Sequence, residues 1–233
     1  MRQILSKVLS ALLIGLPIAA EAEGSPIVVE LYTSQGCSSC PPADALLEEL
    51  SRNPQILALA LHVDYWDYLG WQDSLASPVF TQRQKDYAHA ASERTIYTPQ
   101  AIVNGAERVV GSDAQALMAA VMHEMSRPAL AKVTLSRSGG GIVIDAGALG
   151  PFEGPVDVLL VRFLPLAKVS ILHGENAGKS ISYVNTVTSL SRLASWSGEA
   201  PLSIRAEIGG DDATAVLLQG AGMGRIVAAA RLP

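Results

Sequence analysis

The chain has 233 residues, of which 49% are hydrophobic and 17% are charged, so it is long enough to bury a sizeable core. The formal net charge is −5 at pH 7, and the sequence contains no basic run. Nucleic-acid phosphates require clustered lysine and arginine, so this composition excludes nucleic acid as a partner.

The N-terminus has the pattern of a secretory signal peptide. Arg2 and Lys7 precede an apolar stretch from Val8 to Ala19, and Ala20-Glu21-Ala22 forms an A-x-A cleavage site. The apolar stretch is too short to span a membrane, and no second stretch of sufficient length follows it. We therefore expect residues 1–22 to be removed and the remaining chain to be periplasmic or secreted, with no membrane span.

Two cysteines, Cys37 and Cys40, lie at the junction of two predicted elements. The β-branched run from Pro26 to Thr33 predicts a strand, and apolar residues at helical spacing from Ala43 to Leu50 predict a helix with Asp44 on its wet face. The cysteines therefore open a helix. The positive end of its dipole favours thiolate over thiol and lowers the pKa of a cysteine.

A disulfide between these cysteines is a weak candidate for a purely structural crosslink. It would close a very short loop, and the entropic stabilisation from a crosslink shrinks with loop length. Outside the cytosol a disulfide persists. The pattern therefore favours a redox or metal-binding role over a passive one.

The following elements complete an α/β unit that we predict to span residues 23–127. A continuous apolar run predicts a central strand, an aromatic loop follows it, and a helix, a β-hairpin and a last helix come next. Their ranges are 56–63 for the strand, 65–71 for the loop, 77–92 for the helix, 100–103 and 107–110 for the hairpin and 113–125 for the last helix.

From residue 128 to residue 233 the pattern changes to short β-type runs separated by turns of Gly, Pro, Ser and Asp. This pattern predicts an all-β, sandwich-like second domain that packs against the first. Within it, the polar segment from Gly174 to Lys179 is interpreted either as a β-turn or as a loop that reaches back to the cysteines.

The segment from Val29 to Cys40, with Thr98-Pro99 before a hairpin and a helix, resembles the thioredoxin superfamily, and its first part is most similar to glutaredoxins. The residues 62–71, 97–100 and 174–178 look like those of a bacterial family of secreted proteins that carry a domain of unknown function. The resemblance implies a thioredoxin-like fold for the first domain.

This resemblance also implies residue roles. Cys37 would be the exposed nucleophile and Cys40 the resolving cysteine, which completes thiol–disulfide exchange. Pro99 would be the superfamily's cis-proline, with Thr98 backbone groups free to pair with a substrate. Glu30 would either accept the proton of Cys40 or form a structural pair, although it precedes Cys37 by seven residues where six is usual.

The aromatic loop has two interpretations. Tyr65, Trp66 and Trp71 follow the second strand and would cover the dithiol or bind an apolar peptide. Alternatively, Trp66 and Trp71 fill an interface with the β-rich domain, which is the interpretation we favour from sequence.

A metal site is the alternative use of the same thiols. Cys37, Cys40 and His62 supply the sulfur and imidazole ligands that suit zinc or Cu(I). His62 ends an apolar strand, however, where a core histidine that is hydrogen-bonded internally is the commoner outcome.

The sequence thus predicts an exported thiol–disulfide oxidoreductase that needs no organic cofactor. Its partners would be exported proteins with thiols or disulfides, together with an electron-transfer partner. Two alternatives remain: a periplasmic protein that binds or delivers copper through the same thiols, and a non-catalytic binding module with a thioredoxin-like fold.

Overall fold

The computed structural model describes residues 24–232, so the expected signal peptide, residues 1–22, lies outside the described residues. The first half alternates strands and helices. Its elements are β1 (Ile27–Thr33), α1 (Pro41–Ser51), β2 (Ile56–His62), a short 3-10 helix (Asp67–Leu69), α2 (Pro78–Ala90), β3 (Gln100–Val103), β4 (Glu107–Val110) and α3 (Ala114–Ser126).

The second half of the described chain consists of strands. They are β5 (Ala131–Ser138), β6 (Gly141–Ala148), β7 (Val156–Ser170), β8 (Ser180–Trp196), β9 (Leu202–Glu207), β10 (Ala213–Gly220) and β11 (Ile226–Arg231). Strands β7 and β8, of 15 and 17 residues, pair as one long antiparallel hairpin. In the described residues, no helix is long and apolar enough to cross a membrane.

The fold is mixed α/β and is built on one large mixed sheet of eight strands. Their order is β11-β10-β7-β8-β2-β1-β3-β4, with β1 parallel to β2 and antiparallel to β3. The two halves of the chain meet where Ala60 of β2 pairs in parallel with Thr186 of β8. The second half was expected to form an all-β domain that packs against the first. Instead, β8 pairs with the edge that β2 would otherwise leave unpaired, so the two halves share one sheet.

The remaining strands form a second, three-stranded sheet in the order β5-β6-β9. Apolar residues of this sheet and of β7, β10 and β11 share one core, which includes Ile142, Ile144, Val158 and Val216. The sandwich-like packing expected for the second half is therefore present, but one of its two layers continues into the α/β half.

Alternation along the strands places different side chains on the two faces of the large sheet. Val29 and Leu31 pack with α1 and α3 on one face. Val28 and Tyr32 pack with α2 on the other. The same parity puts Thr33 on the α1 face and Glu30 on the α2 face, which decides where each polar side chain of β1 lies.

Candidate active site

Cys37 and Cys40 form a disulfide in the turn between β1 and α1. The helix begins at Pro41, one residue after Cys40, because prolines fit the first helical positions, where no N–H is required. Cys37 is therefore four residues before the helix and does not open it. Ser38 and Ser39 between the two cysteines are exposed.

Both cysteines are buried, with Cys37 2% and Cys40 0% exposed. This corrects the expectation of an exposed Cys37. The backbone of the turn folds tightly, since Cys37 N–H donates to Ser34 O at 3.1 Å and Cys40 N–H donates to Cys37 O at 3.2 Å. A loop from the second half of the chain also contacts this turn.

That loop joins β7 to β8 and spans residues 171–179. Asn176 is 1% exposed, and its Nδ2 donates to Gln35 O and to Cys37 O, both at 2.9 Å. Ser38 N–H donates to Glu175 Oε2 at 3.3 Å. Of the two sequence interpretations of Gly174–Lys179, the structure therefore supports the loop that reaches the cysteines.

Trp66 connects the cysteine turn to the Thr98-Pro99 segment. Its Nε1 donates to Thr98 Oγ1 at 2.7 Å, and a Cβ added at Gly36 would lie 3.1 Å from the Trp66 Cβ. The Thr98–Pro99 peptide bond is cis. Gly36, Trp66 and Thr98 are thus adjacent in space although they are distant in sequence.

Trp71 and Tyr65 bind different partners. Trp71 Nε1 donates to Gln35 Oε1 at 2.7 Å, and its ring lies 6.3 Å from that of His173 in the β7–β8 loop. Tyr65 OH donates to Gln84 Oε1 at 3.2 Å. Trp66 and Trp71 therefore contact the cysteine turn, so they do more than fill an interface with the β-rich half.

Glu30 lies on the α2 face and is bound there by cations and hydroxyls. Arg83 Nε and Nη2 donate to its two oxygens at 2.7 and 3.1 Å, and Tyr87 OH donates at 2.7 Å. Gln219 Oε1 accepts from Arg83 Nη2 at 2.9 Å. We call these four residues the Arg83 cluster, in which Glu30 forms a structural pair.

The acid on the face of the cysteine helix is Asp44, one helical turn after Cys40. The side chain is buried, with 6% of the residue exposed, so its assignment to the wet face of α1 was wrong. Thr33 Oγ1 donates to Asp44 Oδ1 at 2.8 Å, whereas Oδ2 has no hydrogen-bond partner. Burial is the main reason that the pKa of Asp44 is raised to about 6.

Asp44 belongs to a buried polar group with His62, Asp73 and Tyr183, which we call the Asp44 cluster. The His62 ring hydrogen-bonds Asp73 Oδ2 through Nδ1 at 2.7 Å and meets the Tyr183 ring edge-on at 4.6 Å. His62 Nε2 and Tyr183 OH have no partner.

The two acids of this cluster have opposite pKa shifts. Burial by itself raises the pKa of Asp73. The hydrogen bond and charge of His62, and the hydrogen bond from Gln35 N–H, outweigh burial, so the pKa of Asp73 lies below its usual value. The negative charge of Asp73 adds to the raised pKa of Asp44. Asp44 thus exchanges its proton near pH 6 while Asp73 stays charged.

Sequence reasoning missed Asp44 and Asp73, whereas Asn176 lies in the segment Gly174–Lys179 that it interpreted either as a β-turn or as a loop reaching the cysteines. A signal for Asp44 was available, because it precedes Leu47 by three residues and Leu47 precedes Leu50 by three, which places all three on one helical stripe. Asp73 follows the aromatic loop and Asn176 lies in the loop between β7 and β8, and no local pattern indicates what their side chains contact.

Of the metal ligands that the sequence offered, the two sulfurs and one nitrogen of His62 have other partners, while His62 Nε2 has none in the described part of the chain. The sulfurs of Cys37 and Cys40 bind each other, and His62 Nδ1 binds Asp73. Within residues 24–232, one group of three acidic or histidine side chains has ligand atoms mutually within 4.8 Å, namely Glu107, His123 and Glu124. Arg225 and Arg127 already bind the Glu124 carboxylate.

Comparison with solved structures gives two matches over most of the chain. Protein AGR_C_4864 from Agrobacterium tumefaciens is 34% identical, with a TM-score of 0.76, over 90% of this chain and 95% of that one. HBP35 of Porphyromonas gingivalis is 14% identical, with a TM-score of 0.61, over 90% of this chain and 75% of that one, and this likeness concerns the fold alone.

A search of curated proteins gives no match. The family model described as "Protein of unknown function (DUF1223)" matches residues 28–219, which include the cysteine turn, the Asp44 cluster and the β7–β8 loop. The chain therefore belongs to the DUF1223 family.

Proposed function

We propose that this protein is an exported thiol–disulfide oxidoreductase that uses Cys37 and Cys40 as its redox pair. The observation that carries the proposal is a disulfide between cysteines three positions apart, one turn before a buried carboxyl with an unpaired oxygen. A crosslink over so short a loop contributes little to stability. An ionisable group with a shifted pKa beside it is typical of a reactive site.

The arrangement of the first half supports a thioredoxin-like fold. Strands β2, β1, β3 and β4 lie side by side in that order, with β1 parallel to β2 and antiparallel to β3. Helices α1 and α3 share one core and α2 contributes to another. The cysteine turn between β1 and α1, and Thr98-Pro99 before the β3–β4 hairpin and α3, are the features on which the resemblance to the superfamily rests.

Exchange would proceed in two steps that conserve electrons. The Cys37 thiolate attacks one sulfur of a partner disulfide, which forms a mixed disulfide and releases one partner thiolate that takes up a proton. Cys40 then loses its proton and attacks the Cys37 sulfur, which re-forms the internal disulfide and releases the second partner thiolate. Two electrons pass from the dithiol to the partner, and the reverse sequence oxidises a partner dithiol.

We assign the proton of Cys40 to Asp44 rather than to Glu30. Cys40 is fully buried, so a nearby group must accept its proton when it attacks. Asp44 has a free carboxylate oxygen on the α1 face, whereas both Glu30 oxygens are bound by Arg83 on the α2 face. A pKa of about 6 lets Asp44 accept and return a proton near neutral pH.

The signal-peptide pattern of residues 1–22 supports export to the periplasm or beyond. A disulfide persists there because the compartment is not reducing, as the cytosol is. The partners would be exported proteins with thiols or disulfides and an electron-transfer protein that resets the pair. No organic cofactor is required, because the sulfurs carry the electrons.

The test is exchange with a disulfide-containing model protein, followed by trapping of free thiols and mass measurement. Cys37→Ser should abolish exchange, and Cys40→Ser should accumulate a mixed disulfide through Cys37. Wild-type protein with both thiols alkylated is the control for non-covalent effects. Full exchange by Cys37→Ser would refute the proposal, and normal function of a double cysteine variant would favour a binding module.

A further inference from the structure

The β7–β8 loop is hydrogen-bonded to the turn that carries the redox pair, residues 34–40. Its anchor, Asn176, is buried and donates to two carbonyls of the cysteine turn. Lys179 Nζ donates to Asn176 Oδ1 at 2.7 Å, and Gly178 N–H donates to Ile171 O at 2.8 Å. The loop is therefore held at both ends, and its position over the turn is fixed.

The anchor holds the Glu175 carboxylate at the Ser38 N–H, 3.3 Å away. Ser38 follows Cys37 directly, so Glu175 engages the backbone N–H adjacent to the cysteine. A carboxylate that accepts from this N–H also places a negative charge at the residue next to Cys37. Both effects disfavour the thiolate.

The start of α1 does little to offset this. Pro41 and Pro42 have no N–H, and the next two N–H groups, those of Ala43 and Asp44, donate to Cys40 O at 2.8 and 3.1 Å. The helix N-terminus therefore lacks the free donors that stabilise a thiolate in the usual way. Ser39 Oγ lies 3.4 Å from Cys37 Sγ, and because a disulfide sulfur carries no hydrogen, the hydroxyl is the donor.

We propose that Glu175, held in place by Asn176, is a positioning residue that lowers the reduction potential of the Cys37–Cys40 pair. This rests on the proposed function and specifies its direction: the reduced pair gives two electrons to partner disulfides. Oxidation of Cys37 and Cys40 to the disulfide is balanced by reduction of the partner disulfide to two thiols. An exported dithiol protein must then supply two electrons to restore the pair.

The geometry predicts that substitutions at Glu175 and at Ser39 shift the dithiol–disulfide equilibrium in opposite directions. Removing the Glu175 charge frees the Ser38 N–H and favours the dithiol. Removing the Ser39 hydroxyl takes away a donor to Cys37 Sγ and favours the disulfide. Because both effects act on the thiolate, they grow as pH rises and more thiolate forms.

The experiment equilibrates the purified protein with reduced and oxidised glutathione and counts alkylated thiols by mass. Glu175→Gln should raise the equilibrium constant for reduction three- to tenfold at pH 8.5, where tenfold corresponds to about 30 mV, and less at pH 6. Ser39→Ala should lower it. Added salt should shrink the Glu175→Gln effect, because the side chain is exposed.

Glu199→Gln is the matched control, since it removes the same charge from an exposed position beyond the far end of β8. Asn176→Ala tests the anchor: in that background Glu175→Gln should have a smaller effect, which a double-mutant cycle measures. If Glu175→Gln and Glu199→Gln coincide while the wild-type pair exchanges reversibly, this inference fails and the proposed function stands. A wild-type pair that glutathione cannot reduce or re-form would overturn both.

Discussion

The two buried polar clusters of this protein lie on opposite faces of the same sheet and are satisfied to different degrees. In the Arg83 cluster, three donors bind the two Glu30 oxygens, and Gln219 binds Arg83 and Tyr87. In the Asp44 cluster, Asp44 Oδ2, His62 Nε2 and Tyr183 OH have no partner.

The difference fits a structural role for the Arg83 cluster and the proton-transfer role that we propose for Asp44. A buried charge without compensation lowers stability, and folds retain such groups chiefly where chemistry requires them. In the Arg83 cluster the buried Glu30 charge is paired with Arg83 and hydrogen-bonded. In the Asp44 cluster two acids share one imidazole. Arg83→Leu and Asp44→Asn should therefore change stability in opposite directions.

The largest effect is expected for Arg83→Leu. The substitution leaves Glu30 buried without its cation, which should lower the free energy of unfolding by about 3–5 kcal/mol. Urea denaturation at pH 7 measures this change. Arg52→Leu, which breaks the exposed Arg52–Glu48 pair, is the control and should change stability by less than about 0.5 kcal/mol. Equal losses in both variants would contradict the role of the Arg83 cluster.

Asp44→Asn should instead stabilise the protein at pH 7. The pKa of Asp44 is about 6 in the folded chain, above its unfolded value, so folded Asp44 keeps its proton while the unfolded chain loses it. The stability contributed by this group is complete below about pH 4 and falls as pH rises to about 6. Removing the charge should therefore recover about 1–3 kcal/mol at pH 7.

The measurement is urea unfolding of oxidised wild-type protein and Asp44→Asn at pH 3.5 and pH 7. The two should have similar stability at pH 3.5 and diverge at pH 7. Resolution of the mixed disulfide by Cys40 should slow in the variant at pH 7, because the proton acceptor is lost. A constant difference at both pH values would show that the carboxyl does not titrate as described.

Local patterns in the sequence predicted the elements well. The hairpin strands 100–103 and 107–110 agree with β3 and β4, and the β-type runs predicted after residue 128 agree with the strands β5 to β11. The parallel pairing of β2 with β8 was not predicted. It joins residues 126 positions apart, and strand periodicity carries no information about such a partner.

The candidate site was predictable only where it is local. Cys37 and Cys40 are evident from spacing, and the Thr98-Pro99 segment from resemblance. For Glu30 the sequence left a proton-accepting role and a structural pair open; strand parity places it on the face opposite Thr33, where it pairs with Arg83. Asn176 acts through a hairpin whose length and direction exist only in the folded chain.

Asp73→Asn tests the second acid of the Asp44 cluster. Asp73 accepts from Gln35 N–H at 2.8 Å and is paired with His62, and its pKa is lowered. Asp73→Asn should therefore lower the free energy of unfolding, by about 1.5 kcal/mol at pH 7. In wild type this contribution is present above about pH 4 and is lost as pH falls below it.

Comparison of Asp73→Asn with Asp44→Asn by urea unfolding at pH 7 provides an internal control, since one should destabilise and the other stabilise. Two changes of the same sign would show that the two carboxyls are not in the distinct environments described for them.

The smallest expected effect is that of Trp66→Phe, which keeps the Cβ that lies against Gly36 and an aromatic ring, and removes the N–H bound to Thr98 Oγ1. One neutral hydrogen bond contributes about 1 kcal/mol to stability, so the urea midpoint should fall only slightly.

Exchange is the more informative measurement. If Trp66 positions Thr98 for a substrate strand, Trp66→Phe and Thr98→Val should each slow exchange, and the double variant should be no slower than either, because both remove one shared contact. Additive slowing would mean that Trp66 acts on the substrate directly, through the ring that stacks on exposed Tyr68, and not through Thr98.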